Sequence, residues 1–184
     1  MVGGEVGSNG AAVPSLEIIP KPAGVTAPLY CDYLQRTDPY NLYPYLAVLP
    51  SGGIFIAYYN EARILDDTTL LTTKTLPNIP GAVNDFLGGR SYPMEGTAVL
   101  MPQHAPYTAP LTILICGGST IGPEIALDNC VSLQPEVANA NWTIERMVSI
   151  PACLVCPPLR DSLSLSSLPN VLCPRWSPFQ TAPT

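Results

Sequence analysis

Apolar and polar positions alternate in short runs along this chain, each run closed by proline, glycine or serine, and two stretches share one order of runs. The first opens at Tyr43-Pro44, continues through apolar residues over 46–57 broken by Pro50-Ser51-Gly52-Gly53, resumes over 62–66, and closes at Leu76-Pro77. The second opens at Tyr92-Pro93, continues over 97–101, crosses a proline-rich loop, resumes over 111–116 before Gly117-Gly118, and then runs through 124–128 to Trp142. In each, a strand leads through a turn into a second strand, centred on Ile54-Phe55-Ile56 or Ile113-Leu114-Ile115, and a third follows. The pattern predicts an all-β chain built from four-stranded antiparallel units.

Tyr43 and Tyr92 stand 49 positions apart, close to the period of about 50 residues of kelch-type propeller blades. Each tyrosine opens an inner strand ahead of a proline, a place where its ring is expected to pack between blades. Val2-Gly3-Gly4 reads as the end of an earlier inner strand, and Ser15-Leu16-Glu17-Ile18-Ile19 as an outer one. The expectation is a partial kelch-like β-propeller of about two to two and a half blades over residues 1–147. Over 148–184 the alternation stops: 37 residues carry seven prolines, three cysteines and three charged groups. That composition predicts a low-complexity, irregular and disordered tail.

Composition narrows the function classes. Hydrophobic residues make up 47% of the 184 positions and charged residues 12%, which leaves a surface of uncharged polar groups and argues against a charge-driven disordered chain. The net charge of −6, with eight Lys plus Arg and no basic cluster, excludes the footprint of nucleic-acid binding and disfavours anionic membranes as partners. No apolar run reaches the length of a membrane span. The opening MVGGEVGSNG lacks the basic and apolar regions of a secretory signal, so no signal peptide is expected in this chain. Asn141-Trp142-Thr143 is nonetheless an N-glycosylation sequon, which has meaning only in a secreted chain.

Few residues carry chemistry by spacing. Cys116 and Cys130 flank a loop of the second unit, and a disulfide between them stands beside the alternative of two buried thiols, since pairing needs Cα atoms about 5.5 Å apart. Cys153 and Cys156 have the spacing of a redox dithiol or half a zinc site, but downstream only Cys173 could help complete it; chance cysteines in the tail are the expected reading. His104, the sole histidine, lies in Pro102-Gln103-His104-Ala105-Pro106, a solvated loop, and one histidine cannot make a copper site. Gly52-Gly53 and Gly117-Gly118 lack the helix context of a phosphate loop and read as turns.

Asn41-Leu42-Tyr43-Pro44, Leu49-Pro50-Ser51-Gly52, Leu76-Pro77-Asn78-Ile79-Pro80-Gly81, Arg90-Ser91-Tyr92-Pro93-Met94-Glu95-Gly96 and Leu114-Ile115-Cys116-Gly117-Gly118-Ser119 follow one another in order. Together they resemble the N-terminal domain of glyoxal oxidases, copper radical oxidases related to galactose oxidase, over residues 1–147. The resemblance implies a secreted seven-bladed propeller that oxidises small aldehydes to acids and reduces oxygen to hydrogen peroxide. It implies a copper held by two tyrosines and two histidines, one tyrosine being thioether-linked to a cysteine. None of these maps onto this chain: the cross-linked tyrosine and its cysteine would precede Met1, and the remaining ligands would follow the last residue. Tyr92, though it follows Arg90, belongs to a later blade. No catalytic, cofactor-binding or metal residue is therefore assigned, and the chain is expected to be an inactive internal fragment whose partners are the missing blades. A non-catalytic propeller-like interaction or glycan-binding module is the alternative.

Overall fold

The computed structural model describes residues 5–7, 10–21, 23–81, 88–121 and 125–147, all within the compact unit Met1–Val148. The expected tail over 148–184, the segment Val2-Gly3-Gly4 and the Cys153/Cys156 pair lie outside the described residues.

The described chain is all-β apart from one short helix. Strands β1 (Ser15–Leu16) and β2 (Leu29–Tyr30) pair antiparallel, and α1 (Asp32–Arg36) follows at once. Asp32 in its first turn and Arg36 in its last match the helix dipole. The last carbonyls are capped by side chains: the Thr37 hydroxyl donates to Tyr33 O at 2.7 Å and Asn41 Nδ2 to Leu34 O at 2.7 Å.

Next comes a four-stranded meander, β3 (Tyr45–Val48), β4 (Ile54–Tyr58), β5 (Glu61–Leu65) and β6 (Thr72–Thr75), hydrogen-bonded in that order. The turn into β4 closes where Gly52, at φ +97°, donates to Leu49 O at 2.9 Å, a backbone shape that glycine adopts without strain. After β7 (Gly88–Gly89), the second meander takes β8 (Thr97–Leu100), β9 (Ile113–Cys116), β11 (Asn129–Leu133) and β12 (Thr143–Arg146) in the order β8-β9-β11-β12. Between β9 and β11, β10 (Ser119–Thr120) leaves the meander and pairs with β7. Two consecutive four-stranded antiparallel sheets, with part of a third unit before them, make a partial propeller-like fold, and among the described residues no sheet closes into a barrel.

One core lies between the two large sheets, where Phe55, Ala57, Ile64 and Leu76 meet Ile113, Ile115, Val131, Leu133 and Trp142. A second covers the other face of the first sheet, setting Ile56, Tyr58 and Leu65 against Leu16, Tyr33 and Leu34. The first sheet is thus buried on both sides, which is why β4 reads as an unbroken apolar run rather than an alternation. Burying each such side chain is worth about 1.5–3 kcal/mol.

One expectation is corrected and another refined. The third strand of the second unit is Asn129–Leu133, not 124–128; its inward Val131 and Leu133 alternate with Cys130 and Ser132, and that polar alternation hid it from a search for apolar runs. The Tyr43 and Tyr92 rings do meet across the two units, edge to face with centroids 5.2 Å apart, but at the surface, 70% and 46% exposed. Tyr45 turns inward instead, its hydroxyl donating to Arg90 O at 2.8 Å, so the residue after Pro44 takes the place expected of the one before it.

Candidate functional site

Among the described residues, a dense set of polar contacts surrounds Arg90, which is fully buried. It follows the glycines of β7, and these let backbone and core close in: a Cβ on Gly88 would lie 2.9 Å from Gly81 Cα, and one on Gly89 2.6 Å from Met94 Cγ. The guanidinium donates to backbone oxygens of Pro80 (2.7 Å), Gly81 (2.8 Å), Gly117 (2.6 Å) and Asn129 (3.1 Å), and to Asn129 Oδ1. Asn129 Nδ2 in turn donates to Gly81 O at 3.0 Å. Burial lowers the guanidinium pKa to about 10, still far above neutrality, so Arg90 is a cation compensated by carbonyl dipoles rather than by a carboxylate. Nε has no partner among the described residues. This arrangement joins the segment after β6 to both β9 and β11, and it presents no group that could take or give a proton near pH 7.

A second cluster ties α1 to the first sheet. Arg36 makes a two-pronged ion pair with Glu61, Arg63 NH2 lies 3.5 Å from the same carboxylate, and the Tyr58 hydroxyl donates to Glu61 Oε2 at 3.0 Å. The Tyr33 ring stacks on Tyr58, centroids 5.0 Å apart, and carries the Arg63 guanidinium 4.5 Å from its centroid. Burial drives both phenols well above the ordinary tyrosine range. Burial pushes Glu61 up as well, but the Arg36 and Tyr58 hydrogen bonds and the two arginine charges outweigh it and hold the carboxyl below its usual value. Burial also raises the Cys31 thiol, keeping it protonated and unreactive. Fixed neutral phenols, a fixed carboxylate and a protonated thiol hold structure and supply no nucleophile or base.

The residues singled out by sequence sit apart from these clusters. Cys116 in β9 and Cys130 in β11 are register partners with Cα atoms 4.0 Å apart, joined by a disulfide. Asn141 is exposed at the edge of a polar cleft of about 300 Å³. His104 is exposed in its loop. Among the described residues no three His, Cys, Asp or Glu side chains are grouped so as to hold a metal ion, and the donor set does not fit a copper centre. Sequence reasoning missed Arg90; the available signal was a scarce cation directly after Gly88-Gly89 in an apolar stretch.

Comparison with known proteins brings in what geometry leaves open. The profile of the family described as Glyoxal oxidase N-terminus matches residues 5–154. A WSC domain-containing protein of Arthroderma benhamiae is 67% identical over 149 residues, covering 81% of this chain and 16% of that protein. Aldehyde oxidase GLOX of Vitis pseudoreticulata is 32% identical over 119 residues (64% of this chain, 21% of that protein), and aldehyde oxidase GLOX1 of Arabidopsis thaliana 29% over 129 residues (61% and 20%). The chain thus spans about a fifth of the length of these relatives or less. No solved structure matches.

Proposed function

The chain belongs to the glyoxal oxidase N-terminus family, and from that premise we propose that it is a scaffold segment of an extracellular, kelch-like copper radical oxidase, silent as a catalyst on its own. The parent reaction oxidises a small aldehyde and water to a carboxylic acid while oxygen is reduced to hydrogen peroxide. The observation that carries the reading is the donor inventory. One exposed histidine, and no grouping of three His, Cys, Asp or Glu side chains, supply no copper site among the described residues, and the interior phenols of Tyr33 and Tyr58 are held neutral by burial. What the segment contributes is rigid architecture, two sheets clamped by Arg90. The Cys116–Cys130 disulfide supports an oxidising compartment.

The partners proposed for this segment are further blades. The second sheet carries Val99, Leu114 and the disulfide on the face turned away from the first, and Val99 is 53% exposed. A neighbouring blade covers such a face in a closed propeller.

The test is elemental analysis of the purified chain after copper loading, with a peroxide assay on methylglyoxal. Substoichiometric copper and no peroxide are expected. Near-equimolar copper together with peroxide release overturns the scaffold reading.

A further inference from the structure

We propose that Asn141 carries an N-linked glycan whose first sugar lies in the polar cleft beside it; the inference rests on the extracellular reading above. Asn141-Trp142-Thr143 is the only Asn-x-Ser/Thr triplet in the sequence. The fold divides it: Trp142 is buried in the core between the sheets, its Nε1 donating to Pro77 O at 2.8 Å, while Asn141 and Thr143 on either side are exposed. The anchored tryptophan fixes the triplet at the surface, so a sugar there displaces no core contact.

The Asn141 carboxamide is oriented through its oxygen, which accepts from Trp142 N at 3.0 Å. That leaves Nδ2, the atom that bonds to a sugar, without a hydrogen bond among the described residues. The donor class is a lipid diphosphate-linked oligosaccharide: Nδ2 bonds to C1 of the terminal N-acetylhexosamine, the C1–O bond to the diphosphate breaks, and Nδ2 gives up one proton.

The cleft fits what would then be attached. Thr112, Ser132, Gln134, Asn139 and Thr143 line it with Asn141, and no lining residue is charged. Gln134 Nε2 donates to Thr112 Oγ1 at 3.2 Å, holding one wall. Hydroxyls and amides without charge suit a neutral sugar with hydroxyl and acetamide groups. At about 300 Å³ the cleft is at the small end of ligand pockets, room for a single ring.

The experiment secretes the full 184-residue chain from a eukaryotic host behind an added leader and reads intact mass before and after peptide-N-glycosidase. The wild type is expected to carry one glycan, released with conversion of Asn141 to aspartate. N141Q and T143A lose it, and T143S keeps it at lower occupancy. Release from the native chain is expected to be several-fold slower than from the denatured chain, and T112A/Q134A should abolish that difference without lowering occupancy. A secreted wild type unmodified at Asn141 overturns the site, and equal release rates overturn the seating of the sugar. Because the leader forces entry into the pathway, neither outcome bears on whether the segment belongs to an oxidase.

Discussion

Arg90 and Asn129 grip one another across 39 positions of sequence: the guanidinium takes both the backbone oxygen and the side-chain oxygen of Asn129, whose Nδ2 holds Gly81. Each buried carbonyl left without a donor costs about 1–3 kcal/mol. R90A takes a hydrogen bond from five acceptors, of which Gly81 O keeps Asn129 Nδ2 and Asn129 O keeps Gly117 N while Pro80 O, Gly117 O and Asn129 Oδ1 are stripped, and a loss of more than about 3 kcal/mol is expected, large against a domain stability of about 5–15 kcal/mol. R90K, with one ammonium in place of a planar fork, should recover only part. A urea midpoint unchanged in R90A would show that the cage is incidental.

Gly118 makes the close approach of β10 to β7 possible. Its φ is +107°, and a Cβ there would lie 2.2 Å from Gly89 O. Backbone cannot yield as a flexible side chain can, so G118A is expected to be destabilising by about 2 kcal/mol or more. A melting temperature within one degree of wild type would refute this.

The Cys116–Cys130 disulfide closes a loop of sequence separation 14, for which chain entropy gives a stabilisation of about 3 kcal/mol. Reduction, or C116A/C130A, should lower the urea midpoint accordingly. The effect should vanish when the double variant is itself treated with reductant; a further drop would locate the sensitivity elsewhere.

Glu61 sets an acid limit. Its folded pKa lies below the ordinary value, so its contribution is complete above the usual carboxylate range and is lost as pH falls through the lowered value. Because Arg36 is half exposed, E61Q should cost only about 1 kcal/mol at pH 7. The gap between wild type and E61Q should narrow on acidification below pH 4. A gap that is constant with pH contradicts an ionised clamp.

Strands β3 and β8 are sheet edges that present apolar side chains, with Val48 73% and Leu100 45% exposed. Such edges pair with other chains. The isolated chain is expected to self-associate, and V48K with V99K should raise the monomer fraction in sedimentation velocity. A wild type that sediments as a monomer at high concentration would count against this.

Local order was legible in the amino-acid sequence because it depends on neighbours. The Pro50-Ser51-Gly52-Gly53 turn, the unbroken run of β4 and the repeated order of strands follow from side-chain period and turn chemistry alone. That the chain carries a single histidine was equally plain, since it needs only an inventory. Tertiary structure decided what depends on register between distant strands. Cys116 meets Cys130 because β9 and β11 pair in one alignment and not the next, a shift of one residue being enough to turn a side chain to the other face. Arg90 became a buried keystone because glycines on β7 and just before β10 let three segments close around it. Tyr43 and Tyr92 turned outward because Tyr45 and Met94 took the inner positions. Sequence periodicity assigns a residue to a strand, but the face and the partner are set only when the sheets pack.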